Sequence, residues 1–280
     1  MKKFIIKAVI AFLLSAILCS VIPFYLLKTS KYEKYVSGRK TYISIRKSKE
    51  VSPQKKLILG DSVAEQLFPN AENDSAFISL ACNQAIEVIG HYLLLNNYLN
   101  AGNQVDTVYF IYLPFNFQNN LNQVYTYHNF LKPFYSNEYK PYFSKTAFDQ
   151  IEKIPYTYLV REPHILTSNW APEISYTDSI DYDFLSPLSI EYLDRIKLLA
   201  EKNNFELIIL PPPLNIQNKK FVDTLNKEEI FHYNLSTEFK DYFENIIYVE
   251  DYCFFDGIHL KEEYIKQYSD IYKEKWIHSK

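Results

Sequence analysis

The sequence predicts an α/β protein: a three-layer α/β/α sandwich on a mostly parallel sheet, preceded by a transmembrane helix. Three observations predict it. Continuous apolar runs such as VYFIYL (108–113) and LIIL (207–210) suit strands covered on both faces, as in a parallel sheet. Segments with helical spacing alternate with those runs, which implies right-handed crossovers and a layered sandwich. The first 27 residues, MKKFIIKAVIAFLLSAILCSVIPFYLL, are basic and then almost continuously apolar.

No charge interrupts the chain from Ala8 to Leu27, a stretch of about 30 Å as a helix, enough to cross a bilayer core. A cleavable signal peptide has a shorter apolar region and a small-residue exit of the A-x-A kind, and neither is evident here. Leu18 before Cys19 is too bulky for a lipoprotein site. Residues 1–27 are therefore expected to be an uncleaved single-span anchor, with Pro23 kinking or ending its helix. Residues 28–55 follow as a basic juxtamembrane stalk, rich in lysine and arginine against only Glu33 and Glu50. It is expected to lie along anionic head groups or to form a solvated linker helix. Lys2, Lys3 and Lys7 favour a cytoplasmic N-terminus while the stalk favours the opposite orientation, so charge alone leaves the side of the domain open.

Residues 56–280 read as one domain. Its expected strands are Lys56–Leu59, Ala76–Leu80, Val105–Leu113, Phe205–Leu210 and Ile246–Glu250. A helix over Ala85–Asn100 places Ile86, Ile89, Tyr92 and Leu93 on one side and stops near Gly102, as a C-terminal cap would. A second, Ser186–Asn204, opens with Ser-Pro and repeats Ile190, Leu193, Ile196 and Leu199 at helical spacing. The charged amphipathic segment Leu260–His278 closes the fold. Residues 117–185 break the rhythm. Rich in Tyr, Phe, Asn and Pro with no clear period, they read as an insertion with its own short elements, whose aromatics are mostly its core. Trp170 and its neighbours there could also stack on sugar rings.

Residues 57–280 hold 17 of the 30 basic and 31 of the 33 acidic residues, a net charge of −14, which argues against nucleic acid as a partner. Of three cysteines one lies in the span, and Cys82 and Cys253 are too far apart in sequence to say whether they pair. With no C-x-x-C and no histidine cluster, neither a metal nor another cofactor is expected. His91, His128, His164, His232 and His278 have no motif around them and read as structural or solvated.

Three features stand at strand ends, which a parallel sheet aligns along one edge. They are Gly60-Asp61-Ser62 after the first strand, Pro114-Phe115-Asn116 after the third, and Asp256-Gly257-Ile258-His259 before the last helix. A serine hydroxyl becomes a nucleophile when a base takes its proton and a third group fixes the base's tautomer. Asp and His three apart on a loop can present both side chains to one point. LILGDSVAEQLF followed near the C-terminus by FFDGIHL resembles the SGNH, or GDSL, hydrolase superfamily over roughly residues 56–260. The resemblance implies the flavodoxin-like SGNH fold, with Ser62 as nucleophile, His259 as general base, Asp256 as its orienting acid and Asp61 as a turn residue. It also implies an oxyanion hole made by Ser62, Asn83 and Asn116. The match departs from the family there: SLACNQAI has no glycine, so Ala81, Cys82 or Asn83 would present the N–H, and Pro-Phe-Asn replaces Gly-x-Asn.

The function expected from this resemblance is a membrane-anchored serine esterase or O-acyltransferase. It would transfer or remove acetyl groups on a cell-envelope polysaccharide, outside the cytoplasmic membrane. Its partners would be the membrane, the acyl acceptor and a multi-span membrane acyltransferase. The alternative is an inactive SGNH-fold scaffold or polysaccharide-binding module.

Overall fold

The computed structural model describes residues 1–27, 36–162, 165–166, 168–173 and 182–278. Its first helix, α1, runs Lys2–Leu27 and continues through Pro23, so the proline does not end it. Within it Lys2–Pro23 is long and apolar enough to span a membrane or to act as a signal sequence, and the domain buries none of it.

The basic stretch is not all stalk. Its first eight residues lie outside the described ones, but Arg39–Ser48 form a helix, α2, that buries Thr41, Ile43, Ser44 and Ser48. Small residues at 41, 44 and 48 make one helical stripe, and this lets α2 lie close against the domain. Thr41 Oγ1 donates to Asn129 Oδ1 at 3.2 Å, and Asn70 Nδ2 donates to Ser44 Oγ at 2.7 Å. Several of the cations take protein partners: Lys40 bonds Glu65, Lys49 bonds Glu138, and Lys47 reaches the Asn70 and Glu72 carbonyls.

The protein is α/β with a four-stranded, wholly parallel sheet in the order β2-β1-β3-β4. The strands are β1 (Lys56–Gly60), β2 (Ile78–Ser79), β3 (Thr107–Ile111) and β4 (Glu206–Leu210). Alternate strand residues face opposite sides. Leu57, Leu59, Val108, Phe110, Leu207 and Ile209 enter the larger core, which holds the inner faces of Glu87–Asn100 (α4) and Pro187–Asn203 (α5). Ile58, Tyr109, Ile111 and Leu210 enter a second core with Ser62–Leu67 (α3) and Glu262–Tyr272 (α6).

The fifth expected strand does not join this sheet. It shortens to Tyr248–Val249, β6, and pairs in parallel with Leu214–Asn215, β5. The outer edge of β4 is instead met by the loop before β6, where the Ile209 N–H donates to the Glu238 carbonyl at 2.9 Å. A groove of about 560 Å³, lined by Phe205, Leu207, Glu238 and Trp276 among others, runs along that edge.

The insertion has a core of its own, contiguous with the larger one. Phe117 is fully buried with the rings of Phe110, Tyr112, Phe184, Phe239 and Tyr242 within 4.9–6.2 Å, and Tyr127, Phe130, Phe134 and Phe143 are buried beyond it. It lacks a period because its elements are short, including a π-turn at Tyr127–Leu131 and helical turns at Lys132–Phe134 and Lys145–Glu152. Cys82 and Cys253 are both buried and unpaired. His164 lies outside the described residues.

His91, on α4, is fully buried between the rings of Phe110 and Tyr112, and neither ring nitrogen has a hydrogen-bond partner. Burial pushes its pKa down to about 3. It is therefore neutral when folded, whereas the unfolded chain binds a proton below about pH 6.5. Stability should fall as pH drops below that value and go on falling until about 3. His91→Leu should flatten this acid limb and raise stability at pH 7 by about 1–3 kcal/mol, the cost of an unsatisfied buried polar group. Urea unfolding of the detergent-solubilised chain at pH 7 and pH 5 measures both effects.

Candidate active site

The site begins where β1 ends. A Cβ on Gly60 would collide with the Ile111 carbonyl oxygen at the end of β3 and with the Ala64 methyl, so only glycine lets the chain turn here. Asp61 then caps α3. Its Oδ1 accepts from the Val63 and Ala64 N–H groups at 3.0 and 3.3 Å, and its Oδ2 from the Leu113 N–H at 2.8 Å and Asn116 Nδ2 at 2.9 Å. The side chain is wholly buried, and burial pushes its carboxyl above the usual range against the pull of these four donors. Asp61 thus ties the end of β1 to the segment after β3. The Glu65 N–H goes to the Asp61 carbonyl. The first-turn donor that no described backbone bond occupies is the N–H of Ser62 itself.

Ser62 opens α3, and His259 meets it from 197 positions away. His259 Nε2 lies 2.8 Å from Ser62 Oγ, and Nδ1 lies 2.7 Å from Asp256 Oδ2. The other carboxylate oxygen, Oδ1, accepts from the Ile258 and His259 N–H groups at 3.0 and 2.7 Å. One side chain therefore both shapes the loop and fixes the imidazole. Burial raises the Asp256 pKa, but these N–H groups and the His259 ring outweigh it and hold the carboxyl below the usual range. The loop doubles back sharply: Phe254 bridges Leu260, and Gly257 sits at φ +81°. With Nδ1–H donated to Asp256, Nε2 carries the lone pair that accepts the serine proton. The Phe255 ring stacks on the imidazole at 5.5 Å with two-thirds of its surface exposed.

Gln66 completes the arrangement and was not singled out from sequence. Its Nε2 donates to the Leu260 carbonyl at 3.2 Å, and its Oε1 accepts from the Leu260 N–H at 3.1 Å. The amide thus ties the helix that Ser62 opens to the loop that carries His259. The available signal was its position one helical turn after Ser62, on the same face.

The other two oxyanion candidates, Asn83 and Asn116, each make a bond within their own segment or to Asp61. Asn116 is buried with its amide anchored on Asp61, and no hydrogen bond joins it to Ser62 among the described residues. Asn83 uses its Oδ1 to cap the turn at Gln84–Ile86 through the Ala85 N–H. The Cys82 N–H donates to the Gly60 carbonyl and the Ala81 N–H to Ser79 Oγ, so both are occupied. Of the three N–H groups expected after β2, that of Asn83 alone has no hydrogen-bond partner among the described residues. The structure brings Ser62, Asp256 and His259 together, and the backbone N–H groups of Ser62 and Asn83 have no hydrogen-bond partner among the described residues. Burial pushes the Cys82 thiol up to about 12, which makes it inert.

Among the described residues no group of three or more His, Cys, Asp or Glu side chains is placed to hold a metal. The His259 and Asp256 side chains keep 25% and 40% of their surface exposed, so the site is open to solvent. No family model matches the chain, and neither a curated protein nor a solved structure does.

Proposed function

We propose that the protein is a membrane-anchored serine esterase or O-acyltransferase of the SGNH type. One observation carries this: the unbroken hydrogen-bonded series from Ser62 Oγ through His259 to Asp256. A parallel sheet with a core on each face is compatible with the three-layer sandwich of that superfamily. In the reaction, Ser62 Oγ attacks an ester carbonyl carbon while its proton passes to His259 Nε2. Asp256 steadies the imidazolium that forms, and the Ser62 N–H meets the developing oxyanion. Collapse of the tetrahedral intermediate breaks the bond to the leaving alcohol, which takes the proton from His259. The acyl-enzyme is then resolved by water or by a sugar hydroxyl, deprotonated by the same nitrogen. Acetyl on a cell-envelope polysaccharide is the favoured group, with the domain outside the membrane and a multi-span acyltransferase as partner. These last assignments rest on the family resemblance alone.

A second reading, an inactive scaffold or polysaccharide-binding module, is favoured by the oxyanion side, where the Asn116 amide is anchored on Asp61 and no glycine follows β2. The two separate on p-nitrophenyl acetate and a fluorophosphonate probe. The catalytic reading expects turnover in the wild-type chain, probe attached to Ser62, and loss of both in Ser62→Ala, by about 10⁴- to 10⁶-fold in kcat. No turnover and no labelling in folded wild-type protein would establish the scaffold instead.

A further inference from the structure

We infer that the face carrying Ser62 is the membrane-facing end of the domain, seated on the bilayer by exposed aromatics of the insertion. The direction of α2 comes first. Its beginning lies against the insertion: the Ser37 N–H donates to Asn169 Oδ1 at 3.0 Å, Gly38 (φ +85°) runs close against the His128 carbonyl, and Thr41 bonds Asn129. Next to it Lys40 bonds Glu65, one turn after Ser62. Its end lies at the opposite edge of the sheet, where Ser48 Oγ accepts from Asn97 near the end of α4 and the chain goes on to start β1. The helix, about 15 Å long, therefore descends from the catalytic edge, and β1 climbs back to it. The polypeptide arriving from α1 meets the domain at the end that carries Ser62 and His259. Eight residues, 28–35, separate α1 from the described domain; fully extended they reach about 30 Å. They include Lys28, Lys31 and Lys34, suited to anionic head groups.

The aromatics at this point are the second observation. Trp170 follows Asn169 directly and is 41% exposed, edge-on to Tyr127 at 5.7 Å and to Tyr156 at 6.1 Å. Tyr156 in turn meets Tyr158 at 6.4 Å, and these two rings are 51% and 66% exposed. Tyr156 holds φ +59°, a left-handed conformation that a non-glycine residue adopts at a cost. Of the insertion's described aromatic rings only Tyr125, Tyr156, Tyr158 and Trp170 are exposed, and the last three adjoin one another. These three are presented outward beside the tether, with the amphipathic chemistry that favours the bilayer interface. Given the acyl-transfer reading, on which this part rests, an open cleft turned toward lipid takes a substrate held at the membrane, such as a lipid-linked acyl donor or acceptor.

The two tryptophans of the chain allow a direct test. Trp276 lies at the far end, where the neighbouring Ile277 carbonyl takes the Lys56 ammonium at the start of β1. The full chain is reconstituted into phosphatidylcholine–phosphatidylglycerol vesicles, with or without lipid brominated at carbons 6 and 7, and recovered by flotation. Tryptophan emission of the wild type should fall by about a third to a half in brominated vesicles, because an interfacial indole lies within reach of the upper acyl chain. Trp170→Phe, a mild change at an exposed site that leaves Trp276 as sole reporter, should abolish most of that response. An equal response in the two proteins, whether both are quenched or neither is, overturns the seat, as does failure of the chain to float. The readout needs no turnover. Failure here with Ser62 still labelled sinks only the orientation, and the reverse result sinks only the chemistry.

Discussion

Asp256→Asn is expected to lower ester turnover about 10³- to 10⁴-fold while leaving the unfolding midpoint near that of the wild type. The reason is the division of labour between the two carboxylate oxygens. Asparagine's carbonyl can still accept from the Ile258 and His259 N–H groups, so the loop around Gly257 keeps its shape. The other position becomes an NH₂ facing His259 Nδ1. That nitrogen must then accept, the ring proton moves to Nε2, and Ser62 Oγ meets a donor instead of a base. Asp256 is 40% exposed, so water can partly substitute for it, and an effect toward the lower end of the range is expected. Steady-state rates on p-nitrophenyl acetate with a parallel melting curve measure both quantities. A variant within tenfold of wild type would show that the imidazole is oriented without its carboxylate.

Asp61→Ala should have the largest effect on stability. Three backbone N–H groups and the Asn116 amide converge on a side chain with no solvent access, and alanine leaves all four without an acceptor. Each unsatisfied buried donor costs about 1–3 kcal/mol, and loss of the helix cap about 1 kcal/mol more. Even with incomplete additivity the sum approaches the whole stability of about 5–15 kcal/mol typical of a domain. The variant should accumulate poorly or unfold at low urea. Asp61→Asn should fall between, since it keeps the cap but turns an NH₂ toward Leu113 and Asn116. Urea titrations followed by circular dichroism, with Ser62→Ala as a stability control, rank the three. An Asp61→Ala midpoint within about 0.3 M of wild type would remove Asp61 from the structural role assigned to it.

The parts of the molecule that were legible in the sequence are those decided by short-range physics. Runs such as 108–113 and 207–210 are apolar at every position because both sheet faces are covered, and β3 and β4 lie inside them apart from their first residues, Thr107 and Glu206. Ser62 and the pair Asp256–His259 were legible for a similar reason. A helix start and a tight turn fix where side chains point within three or four residues. What was lost depended on competition at a distance. The bond from Asn116 to Asp61, which takes one of the amide's two N–H groups, was not legible, because a buried carboxylate attracts the nearest amide donor, a fact carried by burial and not by spacing. The run at 246–250 is as apolar as a sheet strand, yet Glu238 reaches β4 first and β6 pairs with β5, which follows Pro211-Pro212-Pro213 and was not foreseen. Arg39–Ser48 was hidden among basic residues whose small polar neighbours make the buried stripe.

The paired bonds of Gln66 to Leu260 set an order of events in the protein's making. Serine and histidine lie 197 residues apart, and ribosomes extend chains at about 5–20 residues per second, so the nucleophile emerges some 10–40 s before its base. During that interval Ser62 lacks the hydrogen-bond partner that it has in the folded chain. Competence arrives only with the final residues, when α6 docks, Ser269 Oγ bonds the Leu67 carbonyl and Gln66 closes on Leu260. Truncation of the last twenty residues would therefore keep Ser62, Asp256 and His259 but remove α6 and the Ser269 bond that hold the two segments together.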